Sequence, residues 1–330
     1  MEQLDIRNKN IKNILIVQIG KIGDMVLTIP LFYYMKKIFP EARLTVLASK
    51  VNAEIPRNLS YVDETIIFSQ NLLTGFILLK SLRKRLYNVL IDMNYNSSRT
   101  SEKILKTLKP DISFGVNGEK KLYDHDLNII SRSPHLADMA LAPAAYFDNK
   151  IIFEADAALK GEFKTETESE FKGDKKFKIL FNISAGSKSR KWSNDKWVKL
   201  IEKSVEVFGT DKYSYYITGL KEESEEIDYV ISKIKSKRLT AIYTKSLVHL
   251  FNIISNINLL VSPDTSLIHI ASSNNIPTIG LYPNVDWNLE KFRPLAENSS
   301  VILSGNKENI FDIELSEVFE ELSKIVKKIS

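Results

Sequence analysis

What most constrains this chain is a rhythm. Short runs rich in Ile, Val and Leu recur along it, each followed by a longer segment whose apolar residues return at helical spacing. A strand buried on both faces reads as a nearly continuous apolar run, and parallel neighbours need a helix-length crossover, so the rhythm predicts an α/β chain built on parallel sheets. In the first half, strands are expected at NILIVQI (13–19), RLTVLAS (43–49), ETIIF (64–68), NVLIDM (88–93) and ISFGV (112–116), with helices over 25–38 and 97–108. The rhythm restarts with KILFNIS (178–184), YSYYITG (213–219), LTAIYT (239–244), NLLVSP (258–263), PTIGLYP (277–283) and SVILSG (300–305). It closes on IELSEVFEELSKIVKKI (313–329), whose spacing predicts an amphipathic helix.

Between the halves lies EADAALKGEFKTETESEFKGDKK (154–176), which is dense in charge and poor in large apolar side chains. Such a segment adds little core and is the expected interdomain region. A length of 330 residues points the same way, because single cores stop growing at roughly 250–300 residues. The expected domains are 1–160 and 161–330, each Rossmann-like, facing each other across a cleft, with the final helix free to pack back on the first. Ligands of open α/β sheets bind beyond the carboxyl ends of the strands, so the strand-to-helix loops are the places to look.

Composition narrows the partners. Lys and Arg number 46 against 41 Asp and Glu, a net charge of +5, too mild for a dedicated nucleic-acid binder and better suited to anionic small molecules or an anionic membrane surface. There is no cysteine, hence no disulfide framework, thiolate metal site or thiol nucleophile. The N-terminal MEQLDIRNKNIKN lacks the apolar core of a signal peptide, and no apolar run approaches the roughly 20 residues that span a bilayer. A soluble, cytoplasmic protein is expected, with contact between its surface and a membrane as the one qualification.

Three loops carry chemistry. In VSPDTSLIHIASSNNIPTIGLYP (261–283), Pro263 and Asp264 end a strand and Thr265, Ser266 and Leu267 would open a helix. Free N–H groups and the dipole make such a start an anion site, the two hydroxyls add donors, and His269 lies about one turn on. The plainer alternative is that Asp264 caps the helix and His269 belongs to the core. In ISAGSKSRKWSNDKW (183–197), the small residues Ser184, Ala185, Gly186 and Ser187 let backbone approach a ligand, and Lys188, Arg190 and Lys191 follow. Ser193 reads as an N-cap and Trp197 as core; a solvated turn is the alternative for the three cations. Two anion-competent loops in one domain suggest a diphosphate between them.

The third loop is QIGKIGDMVLTIP (18–30), where GKIGD stands in place of a GxGxxG dinucleotide fingerprint. Asp24 falls at or just before a helix start, and Pro30 lies early enough not to break that helix. A carboxylate stabilised by the dipole would have a low pKa and be a weak base, so simple capping is the competing reading of Asp24.

Taken together, ILIVQIGKIGDMVLTIP, SAGSKSRKWSNDKW and LVSPDTSLIHIASSNNIPTIGLYP resemble glycosyltransferase family nine, best known for ADP-heptose:lipopolysaccharide heptosyltransferases. YNVLIDMNYNSSRTS and SPHLADMAL agree more loosely. The resemblance implies a GT-B fold, acceptor binding mainly by the first domain and nucleotide-sugar binding mainly by the second, and inverting transfer without a metal or other cofactor. It assigns Asp24 as general base and Lys191 to the donor diphosphate, with Asp264, Thr265, Ser266 and His269 as the donor-binding segment. Ser184, Gly186, Ser187, Lys188 and Arg190 join the donor side, as does Glu223 or its neighbour Glu222 near the ribose, while Gly23 and Asn94 are expected on the acceptor side. It also implies a glycolipid or oligosaccharide acceptor and peripheral contact with the inner membrane, with Arg83 to Arg85, KKLYDH (120–125) and the linker lysines as bases that could face it. Two departures stand out: Ser266 replaces the family's glycine, and YPNVDWN (282–288) replaces a small turn.

Rival readings remain at this point. A dehydrogenase lacks its fingerprint here; a nucleotide-sugar epimerase or hydrolase would share the donor loops; a non-catalytic nucleotide-sugar or glycan binder would share the fold. YDHDL (123–127) offers a metal-binding DxD pattern in Asp124, His125 and Asp126, but three residues match easily by chance and no further ligand is suitably spaced, so no metal site is expected.

Overall fold

A computed structural model describes residues 10–69, 71–118, 121–149, 170–235 and 238–330. It divides into two compact units, 1–164 and 165–330. Most of the charged stretch 154–176 lies outside the described residues.

In the first unit β1 (Asn13–Gln18), β2 (Arg43–Ala48), β3 (Glu64–Ile67), β4 (Val89–Asp92), β5 (Ile112–Gly115) and β6 (His125–Asp126) form one sheet in the order β3-β2-β1-β4-β5-β6. All of its ladders are parallel. The helices are α1 (Ile22–Ile38), α2 (Glu54–Arg57), α3 (Leu72–Arg83), α4 (Arg99–Leu108), α5 (Leu127–Ile130) and α6 (Leu136–Phe147). The central strands are apolar throughout: Ile14, Leu15, Ile16 and Val17 are essentially inaccessible because helices cover both faces.

The second unit repeats the scheme. Its strands are β7 (Phe177–Asn182), β8 (Tyr213–Gly219), β9 (Leu239–Tyr243), β10 (Leu259–Pro263), β11 (Thr278–Tyr282) and β12 (Ser300–Leu303), ordered β12-β11-β10-β7-β8-β9 and parallel. Its helices are α7 (Asn194–Phe208), α8 (Ser224–Lys233), α9 (Leu247–Ser255), α10 (Ser266–Ser273), α11 (Asp286–Phe292) and α12 (Leu315–Ile329). On α7, Trp197, Leu200, Ile201 and Ser204 all face the core, and the Ser193 hydroxyl accepts from Lys196 N at 3.2 Å to cap the helix. The final helix places Val318, Leu322, Ile325 and Val326 in this same core.

Three local outcomes differ from the expectations. Helix α1 begins at Ile22 rather than 25, which leaves Pro30 deep inside it, and the helix runs on to Ile38 without the Pro30 N–H. YDHDL contains a short edge strand: Asp124 Oδ2 accepts from Ser113 N and Oγ, Asp126 caps α5 through Asn128 N at 3.0 Å, and His125 stacks on Phe114. Arg85 is not a free surface base, since its guanidinium forks onto Glu64.

Candidate active site

The turn after β1 is built to hold Asp24. Asn52 anchors it, donating through Nδ2 to the carbonyls of Gln18 and Gly20 at 3.1 Å each. Gln18 Oε1 accepts from Gly20 N at 3.1 Å, while its Nε2 donates to Thr28 Oγ1 and to the carbonyl of Met93. Gly20 is required by closeness alone: a Cβ there would stand 2.5 Å from Asp24 Oδ2 and 2.9 Å from Gln18 Oε1.

Asp24 occupies the third position of α1, and its Oδ2 accepts from Lys21 N at 3.0 Å. Its other oxygen accepts no hydrogen bond among the described residues. The side chain is 5% exposed. Burial pushes its pKa up, opposed by the Lys21 N–H and the Lys21 charge. Capping and basicity are therefore compatible: one oxygen closes the helix, and desolvation outweighs the stabilisation that would have made the group a weak base. Gly23 is buried within the same turn.

The loop after β4 lies beside this turn, joined by Gln18 to Met93 and by Met93 N donating to the carbonyl of Val17 at 2.9 Å. Asp92, 2% exposed, accepts from Tyr123 Oη at 2.6 Å, from Asn94 N at 3.0 Å and from Asn94 Nδ2 at 2.6 Å. The Asp92 oxygen accepts from the Asn94 amide nitrogen, which leaves Asn94 Oδ1 with no donor among the described residues. Burial nevertheless raises the pKa of Asp92, and burial with the neighbouring Asp92 charge raises that of Tyr123. Asp92 and Tyr123 were not singled out in the sequence. The only available signal was a carboxylate ending an apolar strand.

In the second unit the loops after β7 and β10 are joined. Asn182 Nδ2 donates to the Ser184 carbonyl at 3.2 Å, Ser262 Oγ at 2.9 Å and Thr265 Oγ1 at 3.3 Å, and Asn182 Oδ1 accepts from Ser184 N. Arg190 forms an ion pair with Asp264 at 3.0 Å and also donates to its carbonyl. Asp264 Oδ2 takes a further bond from Asn288 Nδ2 at 2.9 Å. Asp264 thus does not cap α10: Thr265 is the N-cap residue, with no side-chain cap bond, and Asp264 instead holds the two loops together. Thr265, Ser266 and Leu267 are partly exposed at the helix start. His269 is buried, its ring 5.9 Å from that of Phe292.

Lys191 bridges Glu223 at 2.8 Å and Glu226 at 2.7 Å. Glu223 is 9% exposed and also accepts from Leu220 N at 3.1 Å, whereas Glu222 is exposed. These pairings raise the Lys191 pKa against the opposing effect of burial. Gly186, Ser187 and Lys188 form the exposed rim, and Ser187 and Ser189 hydroxyls lie 3.0 Å apart. The sequence names Asp264 and Glu223 but not their pairing with Arg190 and Lys191, nor Glu226, nor the Asn288 contact from YPNVDWN. All are tertiary meetings between distant segments.

The arrangement in the second unit offers a helix start, several hydroxyls and two cations, each cation balanced by acids. Among the described residues no cluster of three or more metal-ligating side chains is present, and no helix is long and apolar enough to cross a membrane.

Comparison with known proteins gives this geometry its context. The sequence model described as glycosyltransferase family 9 (heptosyltransferase) matches residues 76–321, which include the loops after β4, β7 and β10. The chain is 24% identical over 289 residues to the lipopolysaccharide core heptosyltransferase OpsX of Haemophilus influenzae, covering 82% of this chain and 79% of that one. It is similar in structure to the E. coli heptosyltransferase WaaC with ADP, with a TM-score of 0.75 at 17% identity over 95% of this chain and 99% of that one. The E. coli ADP-heptose lps heptosyltransferase II follows at a TM-score of 0.72 and 18% identity, with 96% and 99% covered. The expected two-domain α/β architecture of GT-B type is the one these structures share.

Proposed function

This chain belongs to glycosyltransferase family 9, and from that premise we propose that it moves a sugar, foremost heptose from ADP-heptose, onto a lipopolysaccharide-core or related glycan hydroxyl. The proposed transfer inverts the anomeric centre and uses no metal or other cofactor. The nucleotide sugar is a co-substrate.

The acceptor oxygen attacks the anomeric carbon from the face opposite the diphosphate; the new C–O bond forms as the bond to the leaving phosphate oxygen breaks. Asp24 takes the acceptor proton on the oxygen that Lys21 N does not hold. Burial raises the pKa of Asp24, and a carboxylate with a raised pKa, once ionised, is a stronger base than an exposed one. Charge developing on the diphosphate is met by Lys191, Arg190 and the N–H groups opening α10, aided by Lys188 and the hydroxyls of Ser184, Ser187, Thr265 and Ser266. Glu223 is assigned to the nucleotide side, since it holds Lys191 in place. Asn94 Oδ1 receives an acceptor hydroxyl.

The observation that carries this reading is the buried, half-satisfied Asp24 in one unit together with paired cations at a helix start in the other. The test is incubation of the purified chain with ADP-heptose and a heptose-acceptor oligosaccharide, with and without chelator, and with the product linkage read by NMR. Acceptor modification with inverted configuration, undiminished by chelator, is expected. Donor consumption without acceptor would indicate an epimerase or hydrolase, and donor binding without turnover a binding protein.

A further inference from the structure

Away from these loops, α3 carries an apolar face that its own sheet does not use. Leu73 is 69% exposed, Ile77 59% and Phe76 40%, whereas Leu79 and Leu82 on the opposite side enter the core. Positions 73, 76 and 77 are neighbours on a helix surface. Two turns further along the same stripe, each is followed by an exposed cation: Lys80, Arg83 and Lys84. Lys80 Nζ lies 4.5 Å from the Phe76 ring centroid, and Lys103 of α4 approaches the same ring at 5.5 Å. Beyond the helix Leu86 is 77% exposed. Nearby acids are engaged elsewhere, Glu102 with Lys106 and Glu64 with Arg43 and Arg85. Among the described residues the patch is apolar, with no ion pair on Lys80, Arg83, Lys84 or Lys103.

We propose that α3 docks this protein on an anionic lipid bilayer, with Leu73, Phe76 and Ile77 in the interface and Lys80, Arg83, Lys84 and Lys103 on lipid phosphates. Helices that lie in a membrane interface have this division, because apolar side chains enter the acyl boundary while long cationic stems reach headgroup level. Charge favours a bilayer over a second copy of the chain: a two-fold contact through this face would set the same cations against each other.

The sheet order adds a reason. β3-β2-β1 run parallel, so the first turn of α3 and the Asp24 turn leave the same sheet edge, about 10 Å apart laterally from two strand spacings. A lipid-borne acceptor held beside α3 would therefore enter near Asp24. This use of the surface rests on the glycan-transfer reading; the docking itself does not.

Co-sedimentation of the full chain with vesicles of phosphatidylethanolamine and phosphatidylglycerol, and with phosphatidylcholine vesicles, tests the proposal. Binding to the anionic vesicles alone is expected, weakening as salt is raised. A triple Leu73→Ser, Phe76→Ser, Ile77→Ser variant and a triple Lys80→Glu, Arg83→Glu, Lys84→Glu variant should each lower the bound fraction about tenfold or more, with Tm and transfer to a soluble, delipidated acceptor unchanged. Phe76→Trp should gain a blue-shifted emission component on anionic vesicles. Equal binding by wild type and both triple variants, or no binding at low salt, overturns the proposal; so does a dimer that the serine variant abolishes, which would assign the face to a second copy. Vesicle binding without transfer to any acceptor would leave docking standing and sink the transfer reading alone.

Discussion

The loop that leaves β1 and the loop that leaves β7 hold the same place in two sheets of one strand order, yet the first leads to a buried acid and the second presents paired cations. The first enters its helix within a few residues of the strand and buries one carboxylate, held by a single backbone N–H. The second runs through a short 3-10 turn over Lys188–Arg190 before α7 begins, and presents partly exposed cations already neutralised by Glu223, Glu226 and Asp264. Topology places both loops at the carboxyl edge of a sheet. Loop length decides the rest: a tight turn can desolvate an acid, and a longer one can spread cations where an anion could exchange for their acids.

Removing the acid should have the largest effect. Asp24→Asn keeps an oxygen for the Lys21 N–H, so turnover should fall by about 10²–10⁴ while donor binding by calorimetry stays unchanged. Wild-type transfer should fall as pH drops through the raised Asp24 pKa, a limb the Asn variant lacks. The stability sign is the reverse of a salt-bridged carboxylate. Folded Asp24 holds its proton more tightly than unfolded, so its ionisation subtracts stability above the ordinary carboxylate pKa. Asp24→Asn should therefore raise Tm at neutral pH and lose that advantage below the usual carboxylate range. Normal turnover in this variant would end the comparison.

Gly20→Ala should come next, because the new methyl would have to displace Asp24 or Gln18. A displacement of about 1 Å is expected to slow turnover up to about 100-fold with donor affinity kept; a crystal structure of the variant would show which side chain moved. Lys191→Ala acts on the other loop. It removes a charge-assisted partner of the diphosphate, so donor affinity and transfer should drop together by about tenfold to a hundredfold. Unchanged donor binding would argue against its role. The smallest effect belongs to Glu226→Gln, which takes one of two acids from Lys191. Donor affinity should rise about two- to fivefold, as suits a partly exposed pair; weaker binding would mean that Glu226 positions Lys191 for the donor rather than competing with it.

Much of the scaffold could be read from the chain. Eleven of the twelve strands named here begin and end within about two residues of the apolar runs that predict them. The exception, β6, is two residues long and polar, so no periodicity marks it. The sequence puts the start of α1 three residues late, because the glycines of GKIGD read as turn while Gly23 is already helical. The cations of 188–191 and the helix start at Thr265 were legible as types of residue at types of loop. The pairing of Asp264, Glu223 and Glu226 with those cations is not, because each acid comes from another crossover: Arg190 and the Asp264 carbonyl it reaches are 74 residues apart in sequence.

The sequence by itself determined two parallel α/β units and which strand ends carry acid, hydroxyls or cations, since apolar periodicity and glycine placement are local properties of the chain. Tertiary structure decided how those groups behave. Whether Asp24 is a weak capping acid or a desolvated base depends on the burial around it, and the direction of the Asn94 amide depends on a carboxylate buried under Tyr123. Desolvation and hydrogen-bond complementarity arise only when distant segments close around a group, so neither is written in any single stretch of residues.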